Sequence, residues 1–107
     1  MKPIKIFKTK EDGLRAVEEG SARRVVIGDL KICLARHQDV LYAIQDRGPH
    51  AKASLSTGKV NARGEIVCPL HNYCYDLETG REYQEKTADA TVWRIENRED
   101  GVYLIMK

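Results

Sequence analysis

The sequence predicts an all-β fold, a small antiparallel sandwich or barrel. Three observations predict it. Short runs rich in Val, Ile and Tyr recur along the chain, and turns containing Gly or Asp close most of them. Only one segment has helical spacing. The chain is 107 residues long, room for one modest core and therefore one domain over 1–107.

The elements follow in order. Residues 11–19 are the helical segment, with Leu14 and Val17 at i, i+3, Glu11 and Asp12 at the start and Gly20 after the end. That is one to two turns. Arg24-Val25-Val26-Ile27 is a β-branched run closed by Gly28-Asp29, and a second strand over 30–36 follows at hairpin distance. His37-Gln38-Asp39 is a polar turn into a strand over 40–45. Glu65-Ile66-Val67-Cys68 is a short apolar run after Arg63-Gly64. Tyr73-Cys74-Tyr75-Asp76-Leu77 alternates and ends in Glu78-Thr79-Gly80. Residues 90–96 alternate again around Val92, Trp93 and Ile95. Arg98-Glu99-Asp100-Gly101 then turns the chain into a last strand over 102–106, forming a terminal hairpin. Between them, residues 46–64 are rich in Gly, Ser, Ala, Lys and Arg. A loop of that length in a compact domain is usually functional or disordered.

Composition narrows the function. Hydrophobic residues make up 42% of the chain, which fits a soluble globule rather than a disordered tail. Apolar runs reach four or five residues, far short of a membrane span. Met1-Lys2-Pro3-Ile4-Lys5 leads into no apolar stretch of the signal-peptide kind, so the cytoplasm is the expected location. Net charge is +2, from 18 basic and 16 acidic residues, which does not suggest a nucleic-acid partner. The split is uneven: residues 1–37 hold nine of the basic and five of the acidic groups.

The chemistry lies with the cysteines and histidines. Three cysteines without a secretory signal argue for thiols or metal ligation rather than a disulfide framework. Cys33, inside an apolar strand, reads as a small buried hydrophobe. Cys68-Pro69-Leu70-His71 differs: one tight turn, stiffened by Pro69, brings a thiolate and an imidazole toward one centre. His50 precedes it in the long loop. Thiolate suits iron–sulfur or zinc, and imidazole suits iron, zinc or copper, so the sites open to this chain are mixed His/Cys.

Asp46-Arg47-Gly48-Pro49-His50 followed by Cys68-Pro69-Leu70-His71-Asn72-Tyr73 resembles the two cluster-binding loops of Rieske-type ferredoxins. It is also similar to the small subunit of assimilatory nitrite reductase, whose members often lack the cluster. Tyr75-Asp76-Leu77-Glu78-Thr79-Gly80 resembles the strand and turn that follow the second loop, and the flanking hairpins match as well. The resemblance implies a Rieske-like fold of small antiparallel sheets with two cluster-binding loops at one end. It also implies a [2Fe–2S] cluster, in which two Cys hold one iron and two His the other. His50 and His71 would take the outer iron and Cys68 the inner one. The first cysteine is expected at position 48, where this chain has glycine.

Further departures lie close by. Lys52 replaces a small residue after the first-loop histidine, and 81–90, the counterpart of a third loop that often carries proline, has none. In high-potential relatives a tyrosine at the place of Tyr75 bonds a ligand sulfur, which here belongs to the missing cysteine. A serine that donates to a bridging sulfide is replaced by Tyr73. Fewer hydrogen bonds to the cluster imply a potential toward the low end of the range of about −150 to +300 mV.

Three functions remain open on these residues. One is an electron carrier passing electrons to a redox partner such as a reductase or oxygenase. The second is a clusterless subunit or docking module for a larger enzyme. The third is a mononuclear zinc site built from His50, Cys68, His71 and Cys74. A catalytic Cys–His dyad has no recognisable orienting third group, so a stand-alone enzyme is not expected.

Overall fold

The computed structural model describes residues 2–47 and 53–106, and their regular structure is mostly β, with one short helix and one 3-10 turn. The elements are β1 (Lys2–Phe7), α1 (Lys10–Ala16), β2 (Ala22–Ile27), β3 (Leu30–His37), β4 (Val40–Gln45), a 3-10 turn (Leu55–Thr57), β5 (Lys59–Val60), β6 (Glu65–Val67), β7 (Cys74–Asp76), β8 (Val92–Arg98) and β9 (Gly101–Met106). They form a six-stranded sheet in the order β1-β9-β8-β4-β3-β2 and a three-stranded sheet β5-β6-β7. Every described pairing is antiparallel.

Strand β3 organises the interior. Its residues Ile32, Cys33, Leu34 and Ala35 are all buried. Because side chains alternate along a strand, this one feeds two cores. Ile32 and Leu34 pack on one face with Val17, Ala43 and Leu104. Cys33 and Ala35 pack on the other with Leu55, Ile66, Cys68 and Tyr75. The second core joins the large sheet to the small one and forms the floor of the loop region. Cys33 is fully buried, as its strand setting predicts, and burial pushes its thiol well above the ordinary range.

The hairpins follow their turn chemistry. Gly28 has φ 61° between β2 and β3, the position that a II′ turn reserves for glycine. The β3–β4 turn is less regular, since Gln38 and Asp39 both have positive φ (52° and 62°) without being glycine. The Glu19 carboxylate accepts both of their backbone N–H groups, at 2.7 and 2.9 Å, and so holds the turn from outside. Arg36 ties the same corner to the helix, donating to the carbonyls of Leu14 (2.7 Å) and Val17 (3.1 Å) that the helix end leaves without partners.

The structure departs from the sequence reading in four places. Residues 2–7 form an edge strand on β9, where Ile4 and Ile6 alternate with lysines and Pro3 is tolerated because the strand has one neighbour. The helix starts at Lys10, since Thr9 caps it by accepting from Asp12 N at 3.0 Å, and it stops at Ala16, where Val17 turns extended into the core. Strands predicted over 73–77 and 90–96 become Cys74–Asp76 and Val92–Arg98. Within 46–64, the described part holds a 3-10 turn and the short strand β5.

Candidate metal centre

Strands β6 and β7 build the second loop. Val67 pairs with Cys74, and the ladder continues one step further, with Cys68 N donating to Tyr73 O at 2.8 Å. Asn72 N then donates to Cys68 O at 2.9 Å, closing Pro69–Leu70–His71 into a single tight turn. Asn72 supplies the left-handed residue that the closure needs, with φ 57°. The two donors of this turn end up at different depths. Cys68 is fully buried in the core beside Ile66 and Tyr75. Pro69, Leu70 and His71 are exposed at the tip, and the His71 ring packs on Tyr73 with centroids 5.5 Å apart.

The root of the first loop is equally fixed. Asp46 is 3% exposed, accepting from Ser54 Oγ and from Ser56 N at 3.1 Å, and Arg47 bridges to Ser54. Burial raises the Asp46 carboxyl, but the serine and backbone hydrogen bonds outweigh it and hold the group below the ordinary range. Gly48, His50 and Lys52 lie outside the described residues. The ligand role of His50 therefore stays an expectation from the sequence.

Cys74 does not share the face of Cys68. The pairings Ile66↔Tyr75 and Val67↔Cys74 put Tyr75 inward and Cys74 outward on alternate sides of β7. The Cys74 thiol contacts Asn72 O at 3.4 Å, and burial followed by the nearby Glu65 charge pushes it up. This placement speaks against a His₂Cys₂ set containing Cys74. Among the described residues no group of three or more His, Cys, Asp or Glu side chains is placed to hold a metal ion.

Sequence reasoning missed the residue that shapes the third loop. Glu82 is 3% exposed, and its carboxylate accepts from the N–H groups of Cys74 (3.2 Å), Gln84 (3.0 Å) and Lys86 (2.9 Å). Flanked by exposed Arg81 and Tyr83, it reads in sequence as one more surface charge. Thr87 in the same loop holds it from the other end. Its Oγ1 lies 3.1 Å from the Tyr75 hydroxyl and 2.9 Å from Ala88 O. A hydroxyl carries one proton and a carbonyl only accepts, so when Thr87 donates to Ala88, Tyr75 is the donor to Thr87. The loop without proline is held by these two side chains instead.

These geometries decide how well a [2Fe–2S] cluster fits. The full set needs a second thiolate beside Cys68. Cys33 shares the core of Cys68 but lies on strand β3, and among the described residues no group of three or more His, Cys, Asp or Glu donors forms around it. Cys74 faces the opposite side of β7. Position 48 carries no side chain. The chain's own donors fit the two-imidazole side in composition and half of the two-thiolate side; they do not complete the set.

Comparison with known proteins agrees with the fold. Residues 5–95 match the family described as the Rieske [2Fe-2S] domain, and the chain belongs to that family. It is 33% identical over 67 residues to Apoptosis-inducing factor 3 of Mus musculus, covering 63% of this chain and 11% of that protein. It is 37% identical over 65 residues to the 3-phenylpropionate/cinnamic acid dioxygenase ferredoxin subunit of Escherichia coli (strain K12), covering 61% of this chain and 60% of that subunit. The matched stretch therefore spans from about a tenth to three fifths of the length of these relatives. A solved complex of reduced oxygenase and oxidized ferredoxin in carbazole 1,9a-dioxygenase contains a chain 28% identical with a TM-score of 0.77, covering 95% of this chain and 91% of that one. Among the described residues no helix is long and apolar enough to cross a membrane.

Proposed function

We propose that this protein is a Rieske-type ferredoxin, an electron carrier for a larger redox enzyme, with an altered cluster site. In this reading 1–107 is one Rieske-like domain, which the family match over residues 5–95 supports. His50 and His71 bind the outer iron and Cys68 the inner one. Gly48 leaves the inner iron one thiolate short, and that place falls to a ligand from outside the chain. The observation that carries the reading is the 68–73 turn, which buries the thiol of Cys68 and exposes the imidazole of His71 at the tip. That is the arrangement a protein needs if a partner is to approach the imidazole side of its centre.

The partner in this reading is an oxygenase or a reductase. The dioxygenase ferredoxin subunit of Escherichia coli and the ferredoxin in the carbazole dioxygenase complex support that choice. The three cysteines, with no disulfide among them, fit the reducing cytoplasm. The protein acts as a component, not as a stand-alone enzyme.

Absorption and EPR spectra of anaerobically purified protein test the reading. A reddish-brown sample with a reducible iron–sulfur signal supports it. Colourless protein carrying stoichiometric zinc overturns it. A second reading, a clusterless docking module, is favoured by Gly48 and by the Tyr75 hydroxyl being taken up by Thr87. Colourless, metal-free protein that stays so after anaerobic reconstitution would establish that reading instead.

A further inference from the structure

The excess of cations in the first third of the chain finds a place in the structure. Arg24 on β2 and Lys31 on β3 are exposed. The register Arg24↔Cys33 and Val26↔Lys31 puts both on one face of the large sheet, the face that carries the small sheet and the loops. Together with Arg47, Ala53 and Ser54 they line a recess of about 100 Å³ at the root of the first loop. Asp46 is the carboxylate in that recess, and it is buried and committed to Ser54 and Ser56. Elsewhere, six arginines meet carboxylates, namely Arg15, Arg36, Arg63, Arg81, Arg94 and Arg98, while Arg23 donates to the Ala16 carbonyl. Arg24 and Lys31 form no ion pair among the described residues, and the opposite charge that acts on Arg24 is the buried one of Asp46. Between them Val26 is 58% exposed, an apolar residue set among cations.

We propose that this flank, Arg24, Val26, Lys31 and the loop root at Arg47, is a docking face for an acidic segment of a partner protein. An exposed apolar centre with a charged rim matches a protein contact better than a small-anion cradle. The floor of the recess is the Asp46 carboxylate, which repels a free phosphate small enough to enter it, so the carboxylates of an acidic segment meet Arg24 and Lys31 at the rim. Opposite charge on the partner raises the rate of encounter and fixes its orientation beside the first loop. That the partner is a redox enzyme rests on the function proposed above; the charged face itself does not.

Titration of the purified, isotope-labelled protein with a short poly-L-glutamate peptide, followed by amide NMR, tests the proposal. Shifts should concentrate at Arg24, Val26, Lys31 and Ser54. Raising the salt from low to well above physiological should weaken binding roughly tenfold, as Debye screening requires. The double variant Arg24→Gln/Lys31→Gln should retain the amide dispersion of a folded protein and bind at least about fivefold more weakly. Three results overturn the proposal: equal shifts with inorganic phosphate at the same concentration, shifts centred on Lys2, Lys5 and Lys8, or binding unchanged in the double variant. A sample that binds the peptide here yet takes up no iron would overturn the electron-carrier reading and leave this one standing.

Discussion

Replacing Glu82 by alanine should release the third loop. The carboxylate accepts three backbone N–H groups, and only one of them has no easy alternative. Gln84 and Lys86 are exposed residues whose amides can turn to water, whereas Cys74 is half-buried on β7. Leaving a buried donor without a partner costs about 1–3 kcal/mol, and a hydrogen bond to a charged acceptor contributes about 1.5–3 kcal/mol. Counting Cys74 in full and the other two as largely replaced by water gives a loss of about 2–4 kcal/mol for Glu82→Ala. Glu82→Gln keeps one acceptor oxygen and should lose about half of that. Urea unfolding at neutral pH measures both variants. The pH dependence offers a second check. Burial raises the Glu82 carboxyl, but the three N–H bonds outweigh it and hold it below 4.5. A group depressed in the folded state stabilises fully above its unfolded value, and the contribution disappears as pH falls through the folded value. Below about pH 4.5, therefore, the wild type should lose stability more steeply than Glu82→Gln. A cost under about 0.5 kcal/mol for Glu82→Ala, within the range of ordinary surface changes, would refute the reasoning.

Other perturbations read other parts of the account. Gln38→Asn keeps the turn amide bonded to Glu19 and better tolerates φ 52°, so it should stabilise by about 0.5 kcal/mol and raise Tm by a few degrees in a thermal melt. Tyr75→Phe removes the hydroxyl that meets Thr87 and should cost about 1 kcal/mol in urea unfolding; no cost would mean that water already serves Thr87. Gly58→Ala would place a Cβ 2.0 Å from the Val67 carbonyl oxygen, a backbone atom that cannot swing away. It should cost more than about 2 kcal/mol and shift the amide resonances of β5 and β6; an unchanged spectrum would contradict the close approach of these strands.

The fold was legible where one face of a strand is apolar and turn residues punctuate it. Gly28-Asp29 and Glu99-Asp100 marked the hairpin turns, and the alternation through Tyr75 found strand β7, which is two residues shorter than the alternating run. Strand β1 was hidden because its lysines and Pro3 look like a charged tail, and it becomes a strand only by pairing with β9. Strand β5 was hidden by its two-residue length. At the site, Cys68-Pro69-Leu70-His71 was legible because both donors sit in one turn whose closure is local. Asp46 and Glu82 were not. Each is a charged residue whose burial depends on amides and hydroxyls brought to it by other segments, and no local pattern records that. Cys74 shows the same limit from the other side. Its spacing from His71 suited a metal while its place on a strand after the loop spoke against one, and the register of β6 on β7 turns it away.

The most direct test is the iron and acid-labile sulfide content per chain after anaerobic reconstitution, measured side by side for the wild type and Gly48→Cys. The account predicts about two irons and two sulfides in both proteins, with the wild type losing its iron faster to a chelator because one ligand is not its own. A wild type that stays iron-free while Gly48→Cys loads would contradict the electron-carrier reading and show that the missing thiolate alone decides.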